Sequence, residues 1–196
     1  METTMSDSSN LLCERAQEGD LAAASELVTL HYQKLFAFFR RLVPNDEDAA
    51  DLTQKTFAKV WTSLPSYQGR SSFSTWIHGI GHNVYVDWRR GDHRADGRTD
   101  QWWENCMADG PSPFEDAAKR DKAAHLHTLV AGLDDEKKEV VHLHYYQGLS
   151  LKETAEVLEI ATSTVKYRLR EALDFLRAST RRAEIKMKPQ ELKGRL

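Results

Sequence analysis

The chain has few of the residues that mark secreted, zinc-binding or membrane proteins. Its 196 residues include 2 cysteines, Cys13 and Cys106, which stand far apart and show no metal-ligand spacing. That usage favours reduced thiols in a cytoplasm over a disulfide framework. No apolar run reaches the roughly 20 residues needed to cross a bilayer, and the N-terminal residues lack the basic and apolar regions of a secretory signal. We therefore expect a cytoplasmic protein without membrane insertion.

Catalytic and metal-binding motifs are equally scarce. The sequence contains no CxxC pair, no glycine-rich phosphate loop and no nucleophile elbow. Of its 8 histidines, His125 and His127 form one close pair, and His142 and His144 form another. Residues two apart on a helix face different directions, unlike a metal-binding pair at i and i+4. No enzyme activity, metal or other cofactor is expected.

Charge is nearly balanced overall but unevenly distributed. The formal net charge of −3 argues against a protein that coats nucleic acid indiscriminately. Residues 165–188 carry eight basic side chains against three acidic ones, whereas residues 46–51 form an acidic patch. This asymmetry indicates one basic face for nucleic acid and a separate face for a protein partner.

Apolar residues recur at helical spacing along most of the chain, without a convincing alternating run of β-branched residues. The predicted fold class is all-α, with two small helical domains joined by a flexible linker. Capping residues and breakers set the helix limits of the first domain. Its helices are predicted from caps at 8–10 to Gly19, from Asp20 to before Pro44, from 46 to 64, and from 72 to Arg90, before Gly91.

The segment 92–113 is rich in glycine, aspartate and proline and reads as the linker. Trp102 and Trp103 are unusual in a linker; they either dock on a neighbouring surface or form an incidental apolar tether. Helices are predicted over 114–131, 134–147, 151–158 and 163–178. A basic tail over 181–196 is predicted to fray.

The C-terminal stretch GLSLKETAEVLEIATSTVKYRLREAL has the layout of a helix-turn-helix. Ser150 and Glu153 fit a capping box at the first helix, and small Ala155 allows close helix approach. The start of the second helix is where a recognition helix meets the major groove. The DNA-facing candidates are Ser163, Thr164, Lys166, Tyr167 and Arg170, with Arg168 and Arg177 placed for phosphates. The alternative is an ordinary helical hairpin with a solvated basic face.

A second signal lies in residues 51–90, where exposed polar groups, aromatics and arginines gather in one short span. A helical core does not require that combination. Holding an opened nucleic-acid strand does, because unstacked bases need aromatic or amide partners and phosphates need cations. This span therefore predicts contact with single-stranded nucleic acid.

Together, the two signals resemble the extracytoplasmic-function (ECF) group of bacterial RNA polymerase sigma factors. The resemblance rests on DLTQKTFAKVW, on FSTWIHGIGHNVYVDWRR, and on GLSLKETAEVL followed by STVKYRLREAL. It implies a region 2 domain at 8–91 and a region 4 domain at 114–180. Region 2 would melt the −10 promoter element and grip the β′ clamp helices of core polymerase. Region 4 would read the −35 element and dock on the β flap, and an anti-sigma factor is a further expected partner.

The resemblance also assigns residues. The core polymerase-binding residues are Asp51, Gln54 and Lys55, and Lys55 stands where the family usually has an acid. The −10 DNA-binding residues are Arg70, Ser72, His82, Asn83, Arg89 and Arg90, and His82 stands where a basic residue is common. The −35 DNA-binding residues are those of the second helix: Ser163, Thr164, Lys166, Tyr167, Arg168 and Arg170. A flipped −10 base needs a polar edge partner, and Asn83 offers both a donor and an acceptor.

Two other functions compete with this interpretation. One is a two-domain helix-turn-helix regulator whose N-terminal half senses a ligand or a co-regulator. The other is a nucleic-acid-processing enzyme with a DNA-binding tail, which would require an acidic metal cluster or a nucleophile. Purified core polymerase separates the first from a sigma factor, because only a sigma factor confers promoter-specific initiation on it.

Overall fold

The computed structural model describes residues 2–91, 126 and 128–191, with side chains for 9–91, 126 and 128–181. Within these ranges the backbone is helical and forms no strand, which confirms the all-α prediction. No helix of the described residues is long and apolar enough to span a bilayer. The linker 92–113 with Trp102, Trp103 and Cys106, most of 114–127 with His125 and His127, and 192–196 lie outside these ranges.

The N-terminal helices follow one another closely. They are α1 (Glu2–Gln17), α2 (Leu21–Arg40), α3 (Asp46–Ser63), a 3₁₀ turn (Leu64–Ser66) and α4 (Phe73–Arg90). After a helical stretch at 128–131 come α5 (Asp135–Val141), a π-helical turn (His142–Tyr146), α6 (Leu151–Val157) and α7 (Thr162–Glu191).

Side-chain caps fix where α2, α3 and α4 begin. Asp20 accepts hydrogen bonds from the backbone of Ala22 and Ala23, and Ser72 accepts one from Thr75. Asn45 caps α3 in the same way. These starts agree with the predicted starts of the three helices, although α2 ends at Arg40 rather than just before Pro44. The predicted caps at 8–10 are wrong, because α1 begins at Glu2 and contains them.

Two predictions for the C-terminal part need correction. The helix predicted over 163–178 runs from Thr162 to Glu191, so the expected frayed tail is helical as far as residue 191. Residues 179–188 are largely arginine, lysine, alanine, glutamate and methionine, which favour helix, and lack glycine and proline. The helix predicted over 134–147 changes to π geometry at His142.

The described residues form two compact units: one of 2–91 and 142–165, the other of 128–141 and 166–191. These units do not coincide with the predicted domains at 8–91 and 114–180, because residues 142–165 join the N-terminal helices. The domain limits stay predictions.

The core of the first unit lies where α1 to α4 meet. Gly81 allows α4 to approach α2, because a Cβ there would stand 3.1 Å from Leu35 Cδ1 and 3.3 Å from Phe39 Cζ. Arg40, buried at the end of α2, pairs with Asp46 at the start of α3. The buried apolar side chains include Leu27, Leu35, Phe38, Phe39, Leu52, Val60, Phe73 and Ile77.

This core contains two histidines that burial keeps neutral. Burial lowers the pKa of His31 to about 4, and the nearby Lys34 ammonium acts in the same direction. Burial also lowers the pKa of His78, whose Nδ1 donates to the Ser74 carbonyl at 2.7 Å. The His31 ring packs edge-on against Phe73, with centroids 5.0 Å apart.

We expect stability to fall in mild acid. A histidine with a folded pKa near 4 and an unfolded pKa near 6.5 leaves stability unchanged above pH 6.5. Below pH 6.5 the unfolded state binds a proton that the folded state does not. At pH 5 the loss is about 2 kcal/mol for such a histidine. Melting temperatures at pH 7.5 and pH 5 should show a smaller drop for His31→Gln than for the native chain; equal drops would contradict this account.

The turn between α6 and α7 is tightly organised. Ser150 and Glu153 form the predicted capping box, with each side chain bonded to the other's backbone nitrogen. At the end of α6, Ile160 N bonds Ala155 O at 3.0 Å, which closes a Schellman-type turn. Glu159 takes the left-handed position of that turn, with φ 54°, where glycine is the usual residue. The predicted helix-turn-helix layout is therefore present.

In the second unit, an ion pair holds the first turns of α7. Arg168 Nη2 lies 2.7 Å from Glu136 Oε2 of α5. Val140, Leu169 and Ala172 are buried in this unit. The Arg168 side chain is only 18% exposed, so this arginine is held in place within the protein.

Candidate nucleic-acid interface

Helix α4 separates a buried face from an exposed polar one. Ile77, Gly81 and Val84 are buried, whereas Asn83 and Arg90 are exposed two turns apart on the opposite side. Two turns of helix correspond to about 10 Å, which lets an amide and a cation address neighbouring nucleotides. The core packing fixes the direction in which both side chains point.

The other α4 residues of the −10 set are placed differently from one another. His82 is half-buried, and Arg89 is exposed with its guanidinium carbon 5.6 Å from the centroid of the Tyr85 ring. Ser72 lies at the N-terminus of the helix, about 25 Å from Arg89 along the axis. The predicted set therefore spans the whole of α4 rather than one pocket.

A short loop between α3 and α4 has fixed ends and an exposed tip. The Tyr67 hydroxyl donates to the Ser71 carbonyl at 2.7 Å, and its ring centroid lies 4.8 Å from that of Trp76. Burial raises the pKa of Tyr67 to about 12, so the hydroxyl keeps its proton. The tip at 68–70, which includes the predicted DNA-binding residue Arg70, is exposed.

Trp76 packs in this cluster as well. It is half-buried, and its ring centroid lies 5.6 Å from that of Phe73. Such aromatic pairs stabilise a fixed geometry.

Ser72 also contacts residues from the helix-turn-helix. Glu153 Oε1 accepts a hydrogen bond from Thr75 Oγ1 at 2.9 Å and lies 3.4 Å from Ser72 Oγ. Its other oxygen accepts from Ser150 N at 2.9 Å. Burial raises the pKa of this carboxyl, but the hydrogen bonds outweigh burial and hold the pKa below its usual value. One carboxylate thus joins the N-terminal ends of α4 and α6.

The Arg41 guanidinium, directly after α2, contacts the π-helical turn. Its carbon lies 4.4 Å from the centroid of the Tyr146 ring, a cation–π distance.

Helix α3 presents the three predicted core polymerase-binding residues to solvent. Asp51, Gln54 and Lys55 are all exposed, and Asp51 and Gln54 share one helical face. Lys55 Nζ lies 2.6 Å from Asp51 Oδ2. The lysine at this position therefore neutralises the neighbouring aspartate of the same surface.

A groove of about 450 Å³ adjoins this surface, between α3 and α4. Leu52, Ala58, Val84 and Trp88 give it an apolar lining, with Lys55, Lys59 and Asp87 also bordering it. Asp87 pairs with Lys59 at 3.5 Å.

The start of α7 carries the predicted −35 residues. Ser163, Lys166, Tyr167 and Arg170 are exposed and Thr164 is half-buried. The Arg170 guanidinium carbon lies 5.7 Å from the centroid of the Tyr167 ring. Arg168 differs from the rest because Glu136 already holds it.

No cluster of three or more His, Cys, Asp or Glu side chains in the described ranges could hold a metal ion.

Comparison with known proteins gives the family. Residues 27–95 match the family model for Sigma-70 region 2, and residues 129–178 match that for Sigma-70, region 4. The ECF RNA polymerase sigma factor SigW of Bacillus subtilis is 25% identical over 176 residues, covering 86% of this chain and 94% of that one. The RNA polymerase sigma-H factor of Pseudomonas aeruginosa is 30% identical over 174 residues, covering 83% and 90%. The chain belongs to the ECF group of the sigma-70 family.

This ECF protein is accordingly a DNA-binding sigma factor that directs transcription initiation. Its fold is similar to that of the sigma factor RpoE of Bartonella quintana, solved in complex with the anti-sigma factor NepR. That structure gives a TM-score of 0.62 at 21% identity, covering 79% of this chain and 94% of the other.

Sequence reasoning missed several residues that shape the interface. Gln17 and Asn10 of α1 reach the loop before α4, some 50 positions later in the sequence. The contact of Glu153 with Ser72 and Thr75 spans about 80 positions. Only the capping box around Glu153 was visible in the sequence, because caps are local and tertiary hydrogen bonds are not.

Proposed function

We propose that this sigma factor captures the melted −10 strand on the exposed face of α4 and reads the −35 duplex with the start of α7. The observation that carries the first part is the exposed amide of Asn83 on a helix whose opposite face is fixed in the core. Unstacking a base costs a few kcal/mol, which hydrogen bonds to the base edge and stacking must offset. Arg89 and Arg90 supply nearby cations for the phosphates.

The exposed surface of α3 is proposed to bind the β′ clamp helices of core polymerase. Asp51 and Gln54 offer hydrogen-bonding groups on one face. Lys55 pairs with Asp51. A partner must therefore either replace this ion pair with its own contacts or bind a surface on which the aspartate charge is already neutralised. Region 4 is proposed to dock on the β flap, and the site of action is the cytoplasm, where core polymerase works.

An anti-sigma factor is a further proposed partner. The supporting observation is that a protein of similar fold was solved in complex with one.

Transcription from a genomic DNA library by purified core polymerase tests the proposed function. Adding this chain should produce a small set of start sites preceded by shared −10 and −35 sequences. A helix-turn-helix regulator would leave the start sites of core polymerase unchanged, and that result would contradict the proposal.

The −35 assignment has its own test in Lys166→Ala. Removing this exposed cation should lower the affinity of the holoenzyme for −35 duplex DNA about 5-fold and reduce the salt dependence by about one counterion. Lys34→Ala, which removes an exposed cation from α2, should change neither quantity. Equal effects of the two variants would remove Lys166 from the −35 contacts.

The proposed function also requires the contact of Glu153 with α4 to open. The −35 and −10 elements lie about 25 base pairs apart, which is about 85 Å at 3.4 Å per pair. In the structure Glu153 of the helix-turn-helix accepts a 2.9 Å hydrogen bond from Thr75 of α4. Both contacts with DNA cannot form while that bond persists.

A further inference from the structure

Helix α1 holds the loop that precedes α4, although α1 lies outside the residues matched by the region 2 family model, 27–95. Gln17 Nε2 lies 2.8 Å from the Leu64 carbonyl oxygen and 2.8 Å from the Tyr67 carbonyl oxygen. One side-chain amide thus donates to both ends of the turn that leads out of α3.

A second residue of α1 reaches the same loop. Asn10 Oδ1 lies 3.3 Å from the Tyr67 hydroxyl, which donates to the Ser71 carbonyl. The Tyr67 ring in turn packs on Trp76 and Phe73, with centroids 4.8 and 5.9 Å apart. The backbone on both sides of the tip is therefore tied to α1 and α4.

Between these contacts, the tip of the loop faces solvent. Residues 68–70 are exposed, and Gly69 has a φ of +66°, a conformation that favours glycine. A loop whose ends are already fixed loses less conformational entropy when its tip binds a ligand than a loop that is free throughout.

We propose that Gln17 is a positioning residue for −10 recognition: through the Leu64 and Tyr67 carbonyls it holds the loop in the shape that receives the unpaired −10 strand. This inference rests on the proposed function, since it assigns that strand to the loop and α4. Gln17 does not itself touch DNA. Its contribution is to hold the loop in the receptive shape before the strand binds.

The test uses two substitutions that differ in hydrogen-bond donation. Gln17→Met keeps the approximate length of the side chain and removes the donor, whereas Gln17→Lys restores a donor at its end. With core polymerase, Gln17→Met should lower the affinity for single-stranded −10 DNA about 5-fold, because the loop loses the two hydrogen bonds that hold its shape. Gln17→Lys should recover most of this loss. Gln33→Met, at an exposed glutamine of α2, should have no effect.

Affinities for core polymerase and for −35 duplex DNA distinguish positioning from general stability. Both should stay within twofold of the native chain in Gln17→Met, because a misfolded region 2 would also lose core binding. Equal losses in Gln17→Met and Gln17→Lys, or a loss of core binding, would overturn the proposal.

Failure of this inference is separable from failure of the proposed function. If Asn83→Ala weakens single-strand binding and Gln17→Met does not, the −10 assignment stands and the role of Gln17 is wrong. If neither does, the −10 assignment itself is wrong, and the inference falls with it.

Discussion

Replacing Asn83 with alanine should reduce open-complex formation about 10-fold or more while leaving core polymerase binding unchanged. Asn83 is exposed at the middle of α4, and a bidentate amide contact with a base edge contributes about 1–3 kcal/mol. The substitution should destabilise the complex with melted DNA and not the complex with duplex DNA, because the same base edge is paired and stacked in the duplex. Heparin-resistant complexes on a mapped promoter measure this directly.

Gln54→Ala is the reciprocal control for that experiment. It removes an exposed amide from α3, on the proposed core-binding face. It should weaken core polymerase binding and leave the fraction of bound complexes that open unchanged. If Asn83→Ala behaves as Gln54→Ala does, Asn83 belongs to the polymerase interface or to the fold.

Holding α4 and α6 together should abolish promoter-dependent transcription almost completely. Thr75 and Glu153 touch through a hydrogen bond of 2.9 Å, and that contact is incompatible with DNA elements about 85 Å apart. The variant Thr75→Cys/Glu153→Cys, in a Cys106→Ser background, can be joined by a short, reducible thiol cross-linker. Burial raises the pKa of Cys13 to about 12, so this thiol should stay unreactive.

Two comparisons make the cross-linking result specific. Cleaving the linker with reductant should restore transcription to the level of the unlinked variant. A cross-link between Asp134→Cys and Lys137→Cys, which joins the residue before α5 to one in its first turn, should leave transcription unchanged. Full activity of the Thr75–Glu153 cross-linked chain would show that the two helices need not separate.

Much of the fold was predictable because its signals are local. Asp20 caps α2 and Ser72 caps α4 as the sequence indicates, and Ser150 with Glu153 forms the expected capping box. The limits of α1 and α7 were not predictable in this way. Ser8–Asn10 resemble a cap but lie inside α1, and the polar stretch after residue 178 continues as helix.

The same distinction between local and tertiary features applies to the candidate interface. Helical periodicity predicted that α4 would bury one face, and the exposure of Asn83 agrees with that pattern. Periodicity could not reveal that Glu136 holds Arg168, or that Gln17 reaches the Tyr67 carbonyl. Those contacts depend on tertiary packing, which sequence spacing does not encode.

Permanganate footprinting of a mapped promoter with core polymerase and this chain tests the central claim most directly. The account predicts that thymines of the −10 element become reactive only when both proteins are present, and that Asn83→Ala suppresses this reactivity. Complexes that form at the promoter with a wholly unreactive −10 element would contradict it. So would equal reactivity with the Asn83 variant.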